Sequence, residues 1–301
     1  MRLVQGTGIW LECSIAMADP RRRLEANAPG AWFVDDTCID CDACRQIAPD
    51  VFAEANGQAV VAQQPGEDQR ADAFRALVAC PVAAIGREDS RSPPGRLFPQ
   101  LLEDGVSYCG YNSPKSYGAN SFFVEREAGN LLIDSPRWAK LLVREIEKRG
   151  GISDILLTHQ DDVADAERYQ THFQARVWIH RADRGAAPYA SHLLEGEEPH
   201  EIRTGLLAIP VPGHTRGSVV YLLEKRFLFT GDSLYWSRGR RALTASKSYC
   251  WYSWEKQIGS LARLAQYDFE WVLAGHGDRI RLPRHQARES LLALTRQFSR
   301  A

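Results

Sequence analysis

Four apolar runs in the C-terminal two-thirds of this chain each end on a side chain that can bind a metal. Ile155-Leu156-Leu157 stops at Thr158-His159, and Asp161, Asp162 and Asp165 follow at once. Three later runs have a similar form, each reaching a glycine beside a His or an Asp: PVPGHTRG around His214, FLFTGDS around Asp232 and WVLAGHGD around His276. Short apolar runs bounded by glycine and polar turn residues read as buried strands. Imidazoles and carboxylates at strand ends are the donors that metal sites use. The expectation is that these four strand ends converge on one metal site.

A second constraint lies near the front. Residues 33–44 read FVDDTCIDCDAC, so Cys38, Cys41 and Cys44 are each separated by two residues, and Cys80-Pro81 follows after 35 more. This pattern resembles the single-cluster bacterial-type ferredoxins over roughly 29–88. Three thiolates at this spacing let one tight loop wrap three corners of a cube, and a distant Cys-Pro closes the fourth. Four Cys ligands imply a [4Fe–4S] cluster. Zinc sites usually pair their ligands as two C-x2-C hooks, which this is not. Ala71, Phe74, Leu77 and Val78 recur at helical spacing before Cys80. Ile39, Ile47, Val51, Phe52, Val60, Val61 and Ile85 complete a small core. Asp35, Asp36, Asp40 and Asp42 crowd the cluster loop, as a solvated face or as an acidic docking patch for a basic redox partner protein.

The bulk numbers bound the rest. The chain has 301 residues, enough for two domains with their own cores. A net charge of −1 gives no reason to expect nucleic acid or an anionic membrane surface as partner. No apolar run approaches the ~20 residues of a membrane span. Seven Cys, of which Cys13, Cys109 and Cys250 are scattered, do not suggest a secreted disulfide scaffold, so a reducing, cytoplasmic setting is expected. Residues 1–16 lack the features of a signal peptide, and Met17 suits a true start. The expected organisation is an N-terminal extension, partly disordered, over 1–28, a ferredoxin-type domain over 29–88, a charged and Pro-rich linker over 89–104, and a second domain over 105–301.

That second domain resembles the metallo-β-lactamase fold. The matching marks are LLID (131–134), LLTH (156–159), PGHTRG (212–217), FTGD (229–232) and AGHG (274–277), in the family's order and approximate spacing. The resemblance implies an α+β architecture, a small ferredoxin-like domain followed by an αββα sandwich with the metal site at one edge. It also implies that Asp134 is a structural acid, His159, His214 and His276 are metal ligands, and Asp232 bridges. The family's second motif is His-x-His-x-Asp-His. Here that register reads His159-Gln160-Asp161-Asp162-Val163-Ala164, so Asp161 replaces a His, while Val163 and Ala164 can neither bind metal nor move a proton. The second metal position is left with Asp232 and His276, and the usual base is missing.

His159, His214 and Asp232 make two imidazoles and one carboxylate, a donor set typical of mononuclear non-haem iron. Within the same fold, persulfide dioxygenases bind iron through the equivalent positions, and flavodiiron oxidoreductases carry a carboxylate where Asp161 sits. The metal set is therefore His159, Asp161, His214, Asp232 and His276, holding one divalent ion, with iron preferred to zinc or manganese. Asp161, Asp162 and His276 are the catalytic candidates. The leading expectation is redox chemistry on a small-molecule substrate, with the cluster supplying electrons. One alternative is a metal-dependent hydrolase of an ester, thioester or phosphoester with a degenerate dinuclear site. The other is a non-catalytic electron-transfer module. His180, Cys109 and Cys250 read as structural residues, and the aromatic stretch 249–254 as packing or pocket lining.

Overall fold

The computed structural model describes residues 18–298. Cys13 and the expected disorder of residues 1–16 lie outside the described residues. Within 18–28, expected to belong to an extension, the chain packs on the small domain. Asp19 caps a 3-10 turn at Pro20–Arg22. The buried Asn27 side chain donates to the carbonyls of Leu24 and Val34 and accepts from the amides of Val34 and Val61. One amide thereby satisfies backbone groups of two different strands, so this stretch is part of the domain's framework.

The small domain is built from an antiparallel pair, Trp32–Val34 with Ile85–Arg87, and a hairpin, Phe52–Ala55 with Gln58–Val61. Helices Ala43–Ile47 and Arg70–Ala79 pack on each other. The second helix appears where its periodicity places it, but it is turned. Ala73, Phe74, Ala76 and Ala79 are its buried face, with Leu77 and Val78 only partly covered. Three alanines on the inner face let the short cluster-loop helix approach closely.

The larger domain is a sandwich of two sheets. The first runs Gln100–Glu103, Val106–Tyr108, Phe122–Val124, Leu131–Ile133, Asp154–Leu156, Arg176–His180 and His192–Leu194 in spatial order. The second runs His200–Arg203, Leu206–Pro210, Val219–Leu223, Phe227–Gly231, Trp271–Ala274 and Ile280–Arg281. Strand residues alternate between two cores. Phe122, Leu131, Ile133 and Leu156 meet Tyr221, Phe229 and Leu273 between the sheets. Phe123, Leu132, Ile155 and Val177 face helices Lys140–Glu147 and Ala166–Phe173 outside the first sheet. Val220, Leu222, Leu228 and Val272 face helices Trp254–Leu264 and Arg284–Phe298 outside the second. Strands covered on both faces are mostly apolar on both, with Ser107, Asp154 and Thr230 as buried polar exceptions, which is why they read as near-continuous runs. The result is the expected αββα layering.

The linker is shorter than 89–104. Phe98 is buried against Tyr108, and Gln100–Glu103 forms the edge of the first sheet. Trp271 Nε1 and Arg226 hold Glu103 from the other sheet. Sequence could not place this strand because its apolar residues, Leu101 and Leu102, are adjacent, the first exposed and the second partly covered by the core.

Two pairings fix where the site forms. Leu131–Ile133 runs parallel to Asp154–Leu156, so Asp134 and His159 leave the first sheet at the same end. Phe227–Gly231 runs parallel to Trp271–Ala274, so Asp232 and His276 leave the second sheet together. Thr158 O accepts from Val219 N and ties the two ends to each other.

Candidate cluster and metal centres

Cys38, Cys41, Cys44 and Cys80 line one small apolar cavity with Val34, Ile39, Ala59, Val82 and Ile85. None is in a disulfide. Cys38 Sγ accepts from the amides of Asp40 and Ala59, and Cys80 Sγ from that of Ala84, at 3.3–3.5 Å. Burial pushes the Cys41 thiol up to about 12, and it raises Cys44 and Cys80 as well. A bare cavity therefore disfavours the thiolates that its amide donors are aimed at, and iron supplies the missing positive charge. The four sulfurs fit a [4Fe–4S] cluster. The loop acids do not form an open patch. Asp35 is buried and caps Asp19 and Thr37, Asp36 pairs with Arg22, and Asp40 and Asp42 pair with Arg45. Three of these acids are thus shared between two arginines of the chain.

At the strand ends of the larger domain, the donor atoms of His159, His214 and Asp232 lie within 4.8 Å of one another, and so do those of Asp162, Asp232 and His276. Asp232 belongs to both groups, with its Oδ2 at 3.7 Å from His159 Nε2, 3.7 Å from His214 Nε2 and 3.9 Å from His276 Nε2. Asp161 Oδ2 closes the first group from the solvent side, 3.3 Å from His214 Nε2 and 3.9 Å from His159 Nε2. His159 Nε2, His214 Nε2, Asp232 Oδ1 and both oxygens of Asp162 are buried without any hydrogen-bond partner. So many orphaned acceptors facing one another are costly unless a cation sits among them. The set fits a divalent metal on that ground.

The far nitrogens of the imidazoles are anchored so that Nε2 faces inward. His214 Nδ1 donates to Tyr249 O at 2.6 Å. His159 Nδ1 lies 2.9 Å from Thr158 Oγ1, which in turn donates to Asp134. Asp134 also accepts from Thr158 N, as suits a structural acid. Burial, with the charge of Asp232 adding, lifts its carboxyl to about 8. Burial lowers His159. At His214 burial also works downward, but Asp161 and Asp232 outweigh it and the imidazole lies above its ordinary value. At Asp232 burial works upward, but His276, His159 and His214 outweigh it and hold the carboxyl low. Burial and the charges of Asp232 and Asp134 raise Asp162 well above the carboxylate range.

The second position is thus fuller than the motif register implies. His159 is extended, and the 3-10 turn Gln160–Asp162 that follows is tight. The chain therefore turns inward at Asp162, two residues before the register's final position, while Val163 packs against the outer core. Asp165 is elsewhere, bonded to Lys115 and Trp138 N. His180 is held by Gly196 O and Ala182 N. Cys109 is buried, and Cys250 Sγ donates to Gly213 O.

Sequence reasoning missed Asp183. It is buried and accepts from Gln160 N at 3.1 Å, Thr215 Oγ1 at 2.6 Å and Gly217 N at 2.9 Å. One carboxylate thus ties the loop after His159 to the loop after His214. A Cβ at residue 217 would sit 2.5 Å from this carboxylate, which accounts for the glycine of the PGHTRG stretch. A lone Asp inside RADRG carries no pattern that could have flagged it.

A cavity of about 640 Å³ opens over the candidate metal-binding side chains. His214, Asp161, Asp162, Asp232 and His276 form its floor, and Asp40, Cys41 and Asp42 of the cluster loop form part of its wall. Its rim carries Tyr117, Tyr249 and Trp251, each more than half exposed. The stretch 249–254 therefore contributes rim as well as helix-start packing, since Trp254 opens a helix and meets Phe298 edge to face.

The comparisons with known proteins agree with this division. The family model described as the 4Fe-4S single cluster domain of ferredoxin I matches residues 34–87. That of the metallo-beta-lactamase superfamily matches 116–276. An uncharacterized protein of Bacillus subtilis (strain 168), YobT, is 27% identical over 212 residues, covering 59% of this chain and 91% of that protein. A hydroxyacylglutathione hydrolase of Fuscovulum blasticum is 32% identical over 129 residues, covering 42% of this chain and 51% of its own, so the match spans about half that enzyme. A solved metallo-beta-lactamase family protein from Thermus thermophilus superposes with a TM-score of 0.50 at 18% identity, covering 66% of this chain and 81% of that one. The chain belongs to the metallo-beta-lactamase superfamily, with a single-cluster [4Fe–4S] ferredoxin domain in front of the superfamily fold.

Proposed function

We propose that this protein is an oxidoreductase that works on a small molecule in the 640 Å³ cavity, with its cluster delivering single electrons to a carboxylate-rich iron centre. The observation that carries this reading is the shared wall: cluster ligand Cys41 and the metal-binding side chains line the same chamber. A plain hydrolase has no use for a one-electron carrier beside its substrate. Three carboxylates, Asp161, Asp162 and Asp232, make the donor set hard, which favours iron over zinc. His159, His214 and Asp232 with Asp161 would hold one ion, and Asp162, Asp232 and His276 have the geometry for a second.

When bound, iron supplies one-electron redox change and a Lewis-acidic seat for the substrate, and the cluster supplies the electrons. The chain's own residues set the stage. Tyr249 O and the Thr158–Asp134 pair fix the imidazole tautomers. Asp183 holds the two histidine loops in register. Asp162, buried and without a donor, is the group able to hold or release a proton beside the substrate. Tyr117, Tyr249 and Trp251 give the chamber an aromatic rim. Anaerobic purification followed by metal analysis and EPR tests the reading. Iron beyond the cluster's four, with oxygen uptake driven by a reductant, is expected; zinc alone in the larger domain would overturn it.

A second reading, a thioester hydrolase, draws on the hydroxyacylglutathione hydrolase relative and on Asp162, whose buried, unpartnered carboxylate lines the cavity and would have to serve as the water-orienting base. Thioester turnover abolished by a chelator yet indifferent to loss of the cluster would select it.

A further inference from the structure

Tyr117 holds a backbone conformation that an aromatic residue rarely adopts, with φ at +49°. Gly118 follows at φ +87°. A bulky side chain in the left-handed region is disfavoured; here Tyr117 caps the 3-10 turn Pro114–Ser116, its N–H donating to Pro114 O, and that cap aims the ring at the cluster loop. The result here is specific. The Tyr117 hydroxyl donates to Ile39 O, inside the Cys38-x-x-Cys41 loop. The same ring lies beside His276, with ring centroids 6.4 Å apart and the planes tilted by 53°. Gly118 brings the backbone against the cluster loop: a Cβ there would lie 2.9 Å from Cys41 Sγ and 3.1 Å from Pro81. Two residues on, Asn120 N donates to Gly275 O and its side chain donates to Gln46 Oε1, so the 113–120 loop is pinned to both domains. The ring remains 57% exposed and lines the chamber, so little hydrophobic burial rewards its strained placement.

We propose that Tyr117 is a relay and positioning residue, the ring through which electrons pass from the cluster loop to the His276 side of the metal centre. The path has one hydrogen bond, Tyr117 Oη–H to Ile39 O, one aromatic ring, and one short gap to the imidazole. Each transfer takes one electron from the reduced cluster, which goes from [4Fe–4S]⁺ to [4Fe–4S]²⁺, and lowers one ferric ion to ferrous. A low-potential one-electron donor then restores the cluster. No bond forms or breaks at Tyr117. The inference rests on the oxidoreductase reading given above.

The test uses the full holoprotein with ferric iron in the larger domain. One equivalent of reduced methyl viologen is mixed in, and freeze-quench EPR follows the decay of the reduced-cluster signal. Tyr117→Phe keeps the ring and removes the hydrogen bond; Tyr117→Ala removes both. Cluster content, bound iron and the cluster's midpoint potential are measured on each variant. A purely structural role would move these together, whereas a relay changes the transfer rate alone. The expected result is transfer slowed at least tenfold in Tyr117→Phe and further in Tyr117→Ala, with content and potential unchanged. Transfer at the wild-type rate in Tyr117→Phe overturns the relay and leaves the oxidoreductase reading intact. Absence of transfer in the wild type overturns both.

Discussion

Asp232 shows how much of the site a single residue can decide. Its carboxylate is the only side chain shared by both ligand groups found among the described residues. Its place was legible because FTGD ends a strand buried on every side chain. The histidines were legible for the same reason. What sequence could not give was the depth of the turn after His159, since one tight 3-10 turn decides whether residue 162 or residue 164 faces inward. Nor could it give Asp183, whose role depends wholly on what lies across the gap. Partners that orient metal ligands are typically worth 10–100-fold in metal affinity. Asp183→Ala should therefore weaken metal binding in the larger domain by about that factor while leaving the cluster's absorbance intact. Competition against a chromophoric chelator reads the affinity; an unchanged value would show that the loops after His159 and His214 keep their places without it.

At the scale of elements, the helix Arg70–Ala79 ends on Cys80, one of the four cavity-lining thiols, and its terminal carbonyls need donors. Arg137 of the larger domain supplies them, donating to Val78 O at 2.7 Å and Cys80 O at 3.4 Å while also holding Asn112 O at 2.7 Å. A guanidinium at a helix C-terminus also meets the negative end of the dipole. Arg137→Ala should cost about 2 kcal/mol, the scale of hydrogen bonds to a charged group. Denaturant titration followed by cluster absorbance should show the lower midpoint, and an unaltered midpoint would count against this cap. The strands were readable from their apolar runs and the helices from their period. The half-exposed edge strand was not, because nothing in Gln100–Glu103 distinguishes a sheet edge from a linker.

At the scale of the whole molecule, two family resemblances were visible in the sequence, but their mutual placement was not. Contacts between distant parts of a chain leave no local periodicity to read. One buried cluster runs from Trp32, Phe52 and Phe74 through Phe98 to Tyr108, Phe122 and Phe229 without a break. Polar ties cross the same seam, from Asn120 to Gln46 and from Arg238 to Arg45 O. Parts that share a core unfold as one cooperative unit. Bleaching of the cluster and the change in tryptophan fluorescence should therefore coincide in a single denaturation curve; two separated transitions would show independent halves.

The chamber above the clustered histidines and carboxylates takes its floor from one domain and part of its wall from the other. A gene shortened to either half would encode an open-sided vessel. Selection on what that vessel accepts therefore falls on both coding segments at once, and their fusion is inherited as one trait.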